Sequence, residues 1–342
     1  MRKAHILRDN RAHKIPRLWL FFDCETEQQK INTKQYKTNF KIVSCIYWER
    51  EHGKNKEKIE KNIFENIDSF WEYVFSKVHT KEVLNLVAHN IDFDLTNLNF
   101  FEYIQKYSYK IKSFVDSNGV YILKIYNDSK KIMCIDSFNW FKSSVKDLGV
   151  ILGKEKIDIN FNTCTLDELK EYCMRDTEII FETLRNYIEF ISKNDFGNFK
   201  YTISAQSFTT FRHKFNNHKI FIHNRQDALE AERKSYFGGR NEAFYIGKIE
   251  KSEIYKLDVN SMYPFVMRNY FYPTKLIQTL YFPRNEIVAD IIKRYCVIAN
   301  VIVDTKEPIF PVKTGNKTIF PTGQFEAYLT TTEIKIAIQK GY

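Results

Sequence analysis

The chain has 342 residues, of which 44% are hydrophobic and 16% aromatic, so it can form about two globular domains and is not an intrinsically disordered protein. Its net charge of +10 favours a polyanionic partner, nucleic acid first. No apolar run reaches the length of a membrane span, and the amino terminus lacks the apolar core of a signal peptide. The six cysteines lack the spacing of a zinc site, which favours a reducing compartment. We therefore expect a soluble intracellular protein that is not secreted and has no membrane partner.

Apolar runs in the first half of the chain predict a mixed α/β region. Five of them have the length and composition of β-strands: Trp19–Cys24, Lys41–Trp48, Leu84–Ala88, Val120–Tyr126 and Lys131–Asp136. The polar, lysine-rich segment His52–Asn62 predicts a loop between the second strand and a helix.

The first predicted strand carries two acids near its end, Asp23 and Glu25, in the stretch WLFFDCE. Side chains at positions i and i+2 of a strand point to the same face, so these two carboxylates lie side by side. Like charges in a poorly solvated place either become protonated or coordinate a cation. For this pair alone, a strand end at which both acids reach solvent is the alternative.

The best predicted helix runs from Leu166 to about Phe190, because Thr165 and Glu168 form a capping box and apolar residues recur at helical spacing. One acid, Asp176, interrupts its apolar stripe, and Tyr172 lies one turn earlier on the same face. Taken singly, an ion-paired helix acid and a core tyrosine are the alternatives.

A further acid, Asp94, follows the predicted strand Leu84–Ala88 after a short polar turn, where a simple turn acid is the alternative. Considered together, the acids cannot share one site without cations, and oxygen ligands in that number suit a pair of Mg²⁺ or Mn²⁺ ions. Two such ions about 3.5–4 Å apart support displacement at a phosphodiester. The predicted metal ligands are Asp23, Glu25, Asp94 and Asp176.

Three motifs in this order resemble those of the DEDD-type 3′–5′ proofreading exonucleases. They are D-x-E at Asp23 and Glu25, N-x-x-F-D at Asn90–Asp94 and Y-x-x-x-D at Tyr172–Asp176. The resemblance implies that Tyr172 orients the attacking water and that Lys146 steadies the phosphate, although a solvated surface lysine is an open alternative. The residues implied in binding the single-stranded 3′ end are Thr26, His89, Asn90 and Phe93, the last by stacking on an unpaired base unless it is a core residue.

Two motifs in the second half are similar to those of family B DNA polymerases, most closely the protein-primed branch of phages, viruses and linear plasmids. They are Tyr236–Gly239 (YFGG) and Tyr255–Pro264, which contains DVNSMYP. The resemblance implies that Asp258 binds both catalytic metals and that Tyr263 stacks under the incoming deoxyribose. The residues implied in nucleotide binding are Asp258, Val259 and Tyr263, and those implied in DNA binding are Tyr236, Gly238 and Gly239. Because Tyr255, Leu257 and Val259 alternate, we expect them to face a core with Asp258 on the opposite face.

The resemblance implies a fold class and a domain order. Residues 1–195 would be a 3′–5′ exonuclease domain with a ribonuclease H-like mixed α/β sheet and helices, and 196–240 a connecting segment. Residues 241–342 would be the first part of an incomplete α+β polymerase palm. The family's D-T-D and K-x-x-x-N-S-x-Y-G motifs do not occur between Pro264 and Tyr342, so we expect a fragment or a split-gene product.

The expected function is DNA replication by a family B DNA polymerase with a 3′–5′ exonuclease, using two Mg²⁺ or Mn²⁺ ions per site. The expected partners are a single-stranded 3′ end, primer-template DNA, dNTPs, a terminal protein primer and the missing carboxy-terminal polymerase part. The expected location is the host cytoplasm or an organelle that carries a viral or plasmid element. A stand-alone 3′–5′ exonuclease and a non-catalytic DNA-binding remnant are the alternatives.

Overall fold

The computed structural model describes residues 3–30, 36–50, 56–161, 163–250, 253–315 and 317–342. The chain separates into two compact units. The amino-terminal unit is Asp9–Asn216, and the carboxy-terminal unit is Asn217–Tyr342 together with the residues up to Arg8. The boundary after Asn216 falls inside the segment 196–240 that was expected to connect two domains. None of the helices in the described ranges is long and apolar enough to cross a bilayer.

Strands and helices are mixed along the chain. The strands of the described residues are β1 (His5–Ile6), β2 (Leu18–Lys30), β3 (Tyr36–Arg50), β4 (Glu57–Phe64), β5 (Val83–Ala88), β6 (Lys110–Ser117), β7 (Val120–Asn127), β8 (Lys130–Asp136), β9 (Phe221–Ile222), β10 (Ile298–Thr305), β11 (Val312–Thr314), β12 (Lys317–Ile319) and β13 (Gly323–Thr330). The α-helices are α1 (Ile67–Ser76), α2 (Ile91–Asn97), α3 (Phe100–Lys106), α4 (Val145–Leu152), α5 (Leu166–Lys193), α6 (Ile203–Thr210), α7 (Gln226–Lys234), α8 (Met262–Asn269), α9 (Asn285–Ile291) and α10 (Thr331–Lys340). A 3₁₀ turn covers Ser137–Asn139 and a π-helical turn covers Phe211–Phe215.

A mixed sheet forms the centre of the amino-terminal unit. Within the described residues it has seven strands in the order β4-β3-β2-β5-β8-β7-β6. The β2–β5 and β5–β8 pairs are parallel, whereas the others are antiparallel. The first five strands of that order have a ribonuclease H-like arrangement, so the predicted mixed α/β fold is confirmed. All five predicted strands lie in this sheet, as β2, β3, β5, β7 and β8.

The central strand β2 is covered on both faces, which explains why its sequence is an uninterrupted apolar run. Leu20 and Phe22 belong to a core cluster that includes residues of α1 and α2. Trp19 and Phe21 belong to a second cluster that includes residues of α5. Because side chains alternate along a strand, the next odd-numbered residues of β2 continue on the α5 side.

The two edge strands differ from the sequence-based expectation. The prediction of a loop over His52–Asn62 is wrong for the described part of this segment, because β4 starts at Glu57 and pairs with β3. Residues 51–55 lie outside the described residues. The strand β6, at the other edge, was not predicted, and its residues are all exposed. Lysine and glutamate side chains are usual on edge strands, where they reach solvent, and for this reason β4 has the composition of a loop.

The helix predicted from Leu166 is confirmed as α5, with the capping box at Thr165 and Glu168. It continues to Lys193 because Ile191 still packs in the core. The segment 193–200 that follows also packs against this unit. Phe199 is only 6% exposed, and its N–H donates to the carbonyl of Lys14 at 3.0 Å.

The carboxy-terminal unit has a small core of its own. Antiparallel strands β10 and β13 and helix α10 contribute to it. Its buried apolar residues are Ile292, Val303, Phe310, Ala327, Leu329, Ile334 and Ala337. Thr330 and Glu333 cap the start of α10, and Gly341 ends it with φ of 74°.

The stretch Tyr255–Val259 does not form the expected alternating strand. Residues 253–259 do not form a strand and have no partner strand among the described residues. Without such a partner, Tyr255, Leu257 and Val259 remain exposed, Leu257 to 90%. The expectation that they face a core is therefore wrong for this structure.

Candidate active site

Asp23 and Glu25 lie on β2 on the face that packs against α5, as the two-residue period of the strand predicts. A β-bulge follows between Glu25 and Thr26 and interrupts the regular pairing with β3. The helix α5 is held over this face by Ser44 of β3, whose hydroxyl donates to the carbonyl of Cys173 at 2.9 Å. These contacts place the polar end of the β2 face beneath the first half of α5.

Asp94 reaches the same place from α2. The start of α2 is fixed by Asp136 at the end of β8, whose carboxylate accepts hydrogen bonds from the N–H groups of Asn90 and Ile91, both at 3.2 Å. One turn later, the buried Asp94 accepts a hydrogen bond from the N–H of Cys24 at 2.9 Å. Asp94 is thereby anchored beside Asp23 and Glu25. Asp136 was not predicted, because an acid at a strand end has no sequence signal that separates it from an ordinary turn acid.

The four acids are poorly solvated, and the pKa of each is raised. Burial, followed by repulsion from Asp94, Glu25 and Asp176, raises the pKa of Asp23 well above its usual value. Burial is also the largest cause for Glu25 and Asp94, whose pKa values rise to about 7, and for Asp176, whose pKa is raised as well. The acids that the sequence separates by up to 153 positions therefore repel one another in the fold.

Asp176 has one partnered and one unpartnered carboxylate oxygen. Its Oδ2 contacts the ammonium of Lys156, whereas its buried Oδ1 has no hydrogen-bond partner among the described residues. The Lys156 ammonium also lies 4.6 Å from the ring centroid of Tyr172. Burial opposes the charge of Lys156, yet hydrogen bonds to Asp176 and Tyr172 raise its pKa above the usual value. Sequence reasoning missed Lys156, since it lies in the segment between α4 and α5, and its position depends on tertiary packing.

The donor set fits divalent cations that prefer oxygen. Ligand atoms of Asp23, Glu25 and Cys173 all lie within 4.8 Å of one another, and Asp176 Oδ1 is a buried acceptor that a cation would satisfy. Burial raises the pKa of the Cys173 thiol, whose Sγ is 3.2 Å from Asp23 O and from Ser44 Oγ. A protonated thiol is a poor ligand, so carboxylates would hold Mg²⁺ or Mn²⁺ here.

Tyr172 and the four residues implied in binding a 3′ end differ in their exposure to solvent. Tyr172 is buried beneath Phe161, and burial raises its pKa to about 12. Phe93 on α2 is 43% exposed and not a core residue. His89 places Nδ1 2.7 Å from the Ser137 hydroxyl, and burial lowers its pKa, which favours the neutral ring. The two remaining residues of this group, Thr26 and Asn90, are half-buried and exposed, respectively.

Lys146 makes no direct polar contact with the four acids among the described residues. It is exposed on α4, and within the described ranges no hydrogen bond or ion pair joins it to Asp23, Glu25, Asp94 or Asp176. The lysine that the structure places among the acids is Lys156.

The residues implied in polymerisation are exposed in the carboxy-terminal unit. They are Tyr236, Gly238, Gly239, Asp258, Val259 and Tyr263. Two of them meet, because a Cβ added to Gly239 would collide with the hydroxyl of Tyr263, whereas one added to Gly238 would meet nothing within 4 Å. No cluster of three potential metal ligands in the described part of the chain includes Asp258.

Comparison with known proteins gives three matches. Residues 151–342 match the family described as DNA polymerase type B, organellar and viral. A probable DNA polymerase of Neurospora intermedia is 26% identical over 259 residues, which are 71% of this chain and 26% of that protein. Phi29 DNA polymerase, solved with single-stranded DNA and with primer-template DNA, has TM-scores of 0.59 and 0.56 to this chain at 16% identity. The phi29 alignments cover 95% of this chain and 58% of the phi29 chain. This chain therefore spans about a quarter of the Neurospora protein and under two thirds of the phi29 polymerase.

Proposed function

The chain belongs to the organellar and viral DNA polymerases of type B, and from this membership we propose that it carries the 3′–5′ exonuclease of such an enzyme and the beginning of its polymerase part. The observation that carries the proposal is the convergence of Asp23, Glu25, Asp94 and Asp176 from β2, α2 and α5. Their mutual repulsion and the unpartnered oxygen of Asp176 favour a site for two cations. When bound, Mg²⁺ or Mn²⁺ ions supply the charge that lowers the pKa of an attacking water and stabilises the leaving oxygen.

The side chains around the acids support a single-stranded DNA substrate. An exposed Phe93 offers a face on which an unpaired base can stack, a contact worth about 1–3 kcal/mol. The Tyr172 hydroxyl, held next to Asp176 and Lys156, orients the water in the proposed hydrolysis. His89, Thr26 and Asn90 contact the terminal nucleotides in this proposal, and Lys146 steadies the phosphate.

The polymerase part of the proposal rests on the family and on the Gly239–Tyr263 contact. In this proposal, Tyr263 and Val259 bind the nucleotide, Asp258 binds metal, and Tyr236 and Gly238 border the DNA. Primer-template DNA, dNTPs and a terminal protein primer are the proposed partners once the remaining polymerase residues are supplied. The proposed domain order is 1–195 exonuclease, 196–240 connection and 241–342 palm.

Digestion of single-stranded DNA tests the exonuclease. We expect the purified chain to shorten a 5′-labelled oligonucleotide stepwise from its 3′ end with Mg²⁺ or Mn²⁺ and not with EDTA. The Asp23→Ala, Glu25→Ala double variant should lose this activity, because both changes remove carboxylate ligands. Asp92→Ala is the matched control, since Asp92 is an exposed acid on α2. Equal digestion by the double variant would refute the metal assignment.

A stand-alone exonuclease is the second candidate. It is favoured by the fact that all four acids lie in the compact unit Asp9–Asn216. The two candidates differ in one measurement. Addition of the remaining part of a type B polymerase should restore dNTP incorporation if the chain is a polymerase piece, and should have no effect if the exonuclease acts alone.

A further inference from the structure

Three residues of metal-binding types, two histidines and one aspartate, meet at the end of α5, away from the four acids. His13 comes from the segment before β2, Asp195 follows α5, and His213 lies in the π-helical turn Phe211–Phe215. Asp195 Oδ1 is 2.6 Å from His213 Nε2 and 3.1 Å from His13 Nε2. The two imidazole rings are 4.6 Å apart and nearly perpendicular, at 86°. One carboxylate oxygen and two imidazole nitrogens therefore converge within 4.8 Å of one another.

His213 is held in the orientation of a metal ligand. Its Nδ1 is 2.5 Å from the carbonyl oxygen of Asn10, and its side chain is only 7% exposed. A histidine that binds a metal through Nε2 typically donates its Nδ1–H to a carbonyl or carboxylate in this way. The bond to Asn10 places a proton on Nδ1, so that Nε2 is the nitrogen that faces Asp195.

Both nitrogens of His213 face acceptors, so the ring has two chemical options. A carbonyl and a carboxylate can only accept, and the ring must then carry a proton on each nitrogen or share Nε2 with a cation. The hydrogen bond from His213 to Asn10 O, followed by the interaction with Asp195, raises the pKa of His213, although burial opposes the charge. A metal ion that binds Nε2 replaces this proton and satisfies the same carboxylate.

The backbone around the cluster is shaped to hold it. Asp195 has φ of 55°, and a Cβ at Gly197 would lie 2.9 Å from the ring of His213, so a glycine is required there. Asn198 accepts a hydrogen bond from the N–H of Lys14 at 2.6 Å, which fixes the residue next to His13. The ammonium of Lys214, the residue after His213, donates a hydrogen bond to the carbonyl of Asn194 at 2.8 Å.

We propose that His13, Asp195 and His213 form a binding site for one divalent transition-metal ion, Zn²⁺ first. Two imidazoles and one carboxylate are a zinc-type ligand set, with water in the fourth position. For bonds of about 2.0–2.2 Å in a tetrahedron, ligand atoms lie about 3.4 Å apart. The two contacts of Asp195 Oδ1, at 2.6 Å to His213 Nε2 and 3.1 Å to His13 Nε2, would therefore need to lengthen by less than about 1 Å. Binding releases the Nε2 proton of His213 to solvent and ties the segment that carries His13 to the end of α5.

The site differs in chemistry from the four-acid site. Nitrogen donors favour Zn²⁺ and Co²⁺, whereas an all-carboxylate set favours Mg²⁺ and Mn²⁺. The proposal rests only on the contacts of His13, Asp195 and His213, and it does not depend on the exonuclease function.

Metal titration of the full chain tests this site. The Asp23→Ala, Glu25→Ala background removes ligands at the four-acid site, so that Co²⁺ reports on the histidines. We expect one equivalent of Co²⁺ to give a visible absorption band of tetrahedral intensity that one equivalent of Zn²⁺ abolishes. We also expect Zn²⁺ to raise the unfolding temperature of this chain.

Variants identify the ligands. His13→Asn and His213→Asn should each lower Zn²⁺ affinity by more than about tenfold and remove the thermal shift. Because the side chain of His213 is only 7% exposed and its replacement can impair folding, the exposed His13 provides the second variant. His218→Asn is the control, since His218 is an exposed histidine of the other unit. Equal Zn²⁺ affinity of the parent and His13→Asn, or a His213 ring that stays doubly protonated by NMR with Zn²⁺ in excess, would overturn the proposal.

Discussion

The Lys156 ammonium contacts Asp176 Oδ2, while the buried Oδ1 of the same carboxylate has no hydrogen-bond partner among the described residues. The charge of Lys156 also lowers the pKa values of Asp23 and Glu25, against the larger effect of burial. Lys156 thus favours the ionised form of three of the four acids. It is placed to control the pH at which the proposed metal site would be ionised.

Replacement of Lys156 by Met should move the pH dependence of the site upward. The variant removes a positive charge that favours the ionised acids, so they ionise at higher pH. We expect the pH midpoints of Mn²⁺ binding and of single-stranded DNA hydrolysis both to rise. Lys154→Met is the matched control, because Lys154 pairs with Glu178 and Glu182. An unchanged midpoint in Lys156→Met would contradict this electrostatic role.

Tyr172→Phe should slow hydrolysis while metal binding stays nearly unchanged. A phenol hydroxyl orients water but holds no cation in this account, and a positioned proton-transfer group is worth about 10²–10⁴-fold in rate. Single-turnover rates and Mn²⁺ titrations on the same samples separate the two effects. Loss of Mn²⁺ binding in Tyr172→Phe would show a structural role for the tyrosine instead.

The metal-free chain should lose stability as the pH rises through the pKa values of the buried acids. Burial raises the pKa of Glu25 and Asp94 to about 7, so the folded state holds protons that the unfolded state releases near pH 4. Their contribution to the free energy of unfolding is fully present below about pH 4 and lost by about pH 7. Added Mn²⁺ should restore stability at the high end, because it binds the ionised acids.

Thermal unfolding at several pH values, with EDTA or with Mn²⁺, measures this effect. Asp94→Asn should flatten the pH dependence in EDTA, since an amide does not titrate and can still accept the hydrogen bond from Cys24. Stability in EDTA that increases from pH 5 to pH 7 would have the wrong sign.

The 342-residue chain should not extend a primer by itself. Nucleotidyl transfer requires two metal ions held by converging acids, and Asp258 belongs to no cluster of three potential ligands within the described ranges. Mixing with the remaining part of a type B polymerase should restore dNTP incorporation, and Asp258→Ala should abolish it again. Extension by the chain alone that disappears in Asp258→Ala would contradict this expectation.

Much of the site could be predicted because two simple periodicities apply. The two-residue period of a strand puts Asp23 and Glu25 on one face, and the helical period shows Asp176 as a polar interruption of an apolar stripe. The burial of β2 on both faces follows from its continuous apolar sequence. These local regularities, together with the order of the motifs, were sufficient for the five inner strands of the sheet and for α5.

The features that could not be predicted depend on tertiary packing. Lys156 reaches Asp176 from a segment without regular structure, and Asp136 holds α2 through backbone N–H groups that any strand-end acid could bind. The edge strands β4 and β6 carry charged and exposed residues, so their composition is that of loops. Tyr255–Val259 alternates as a strand does, but alternation alone cannot supply a partner strand.

Electron paramagnetic resonance of bound Mn²⁺ tests the central claim, that the four acids hold two cations beside a DNA 3′ end. The sample is the chain in a His13→Asn background with an oligonucleotide whose 3′-terminal phosphorothioate resists cleavage. We predict two Mn²⁺ ions with the spin coupling expected at about 3.5–4 Å, abolished by Asp94→Asn and retained in the control Asp92→Asn. A single uncoupled ion in the parent, or an unchanged coupled pair in Asp94→Asn, would contradict the account.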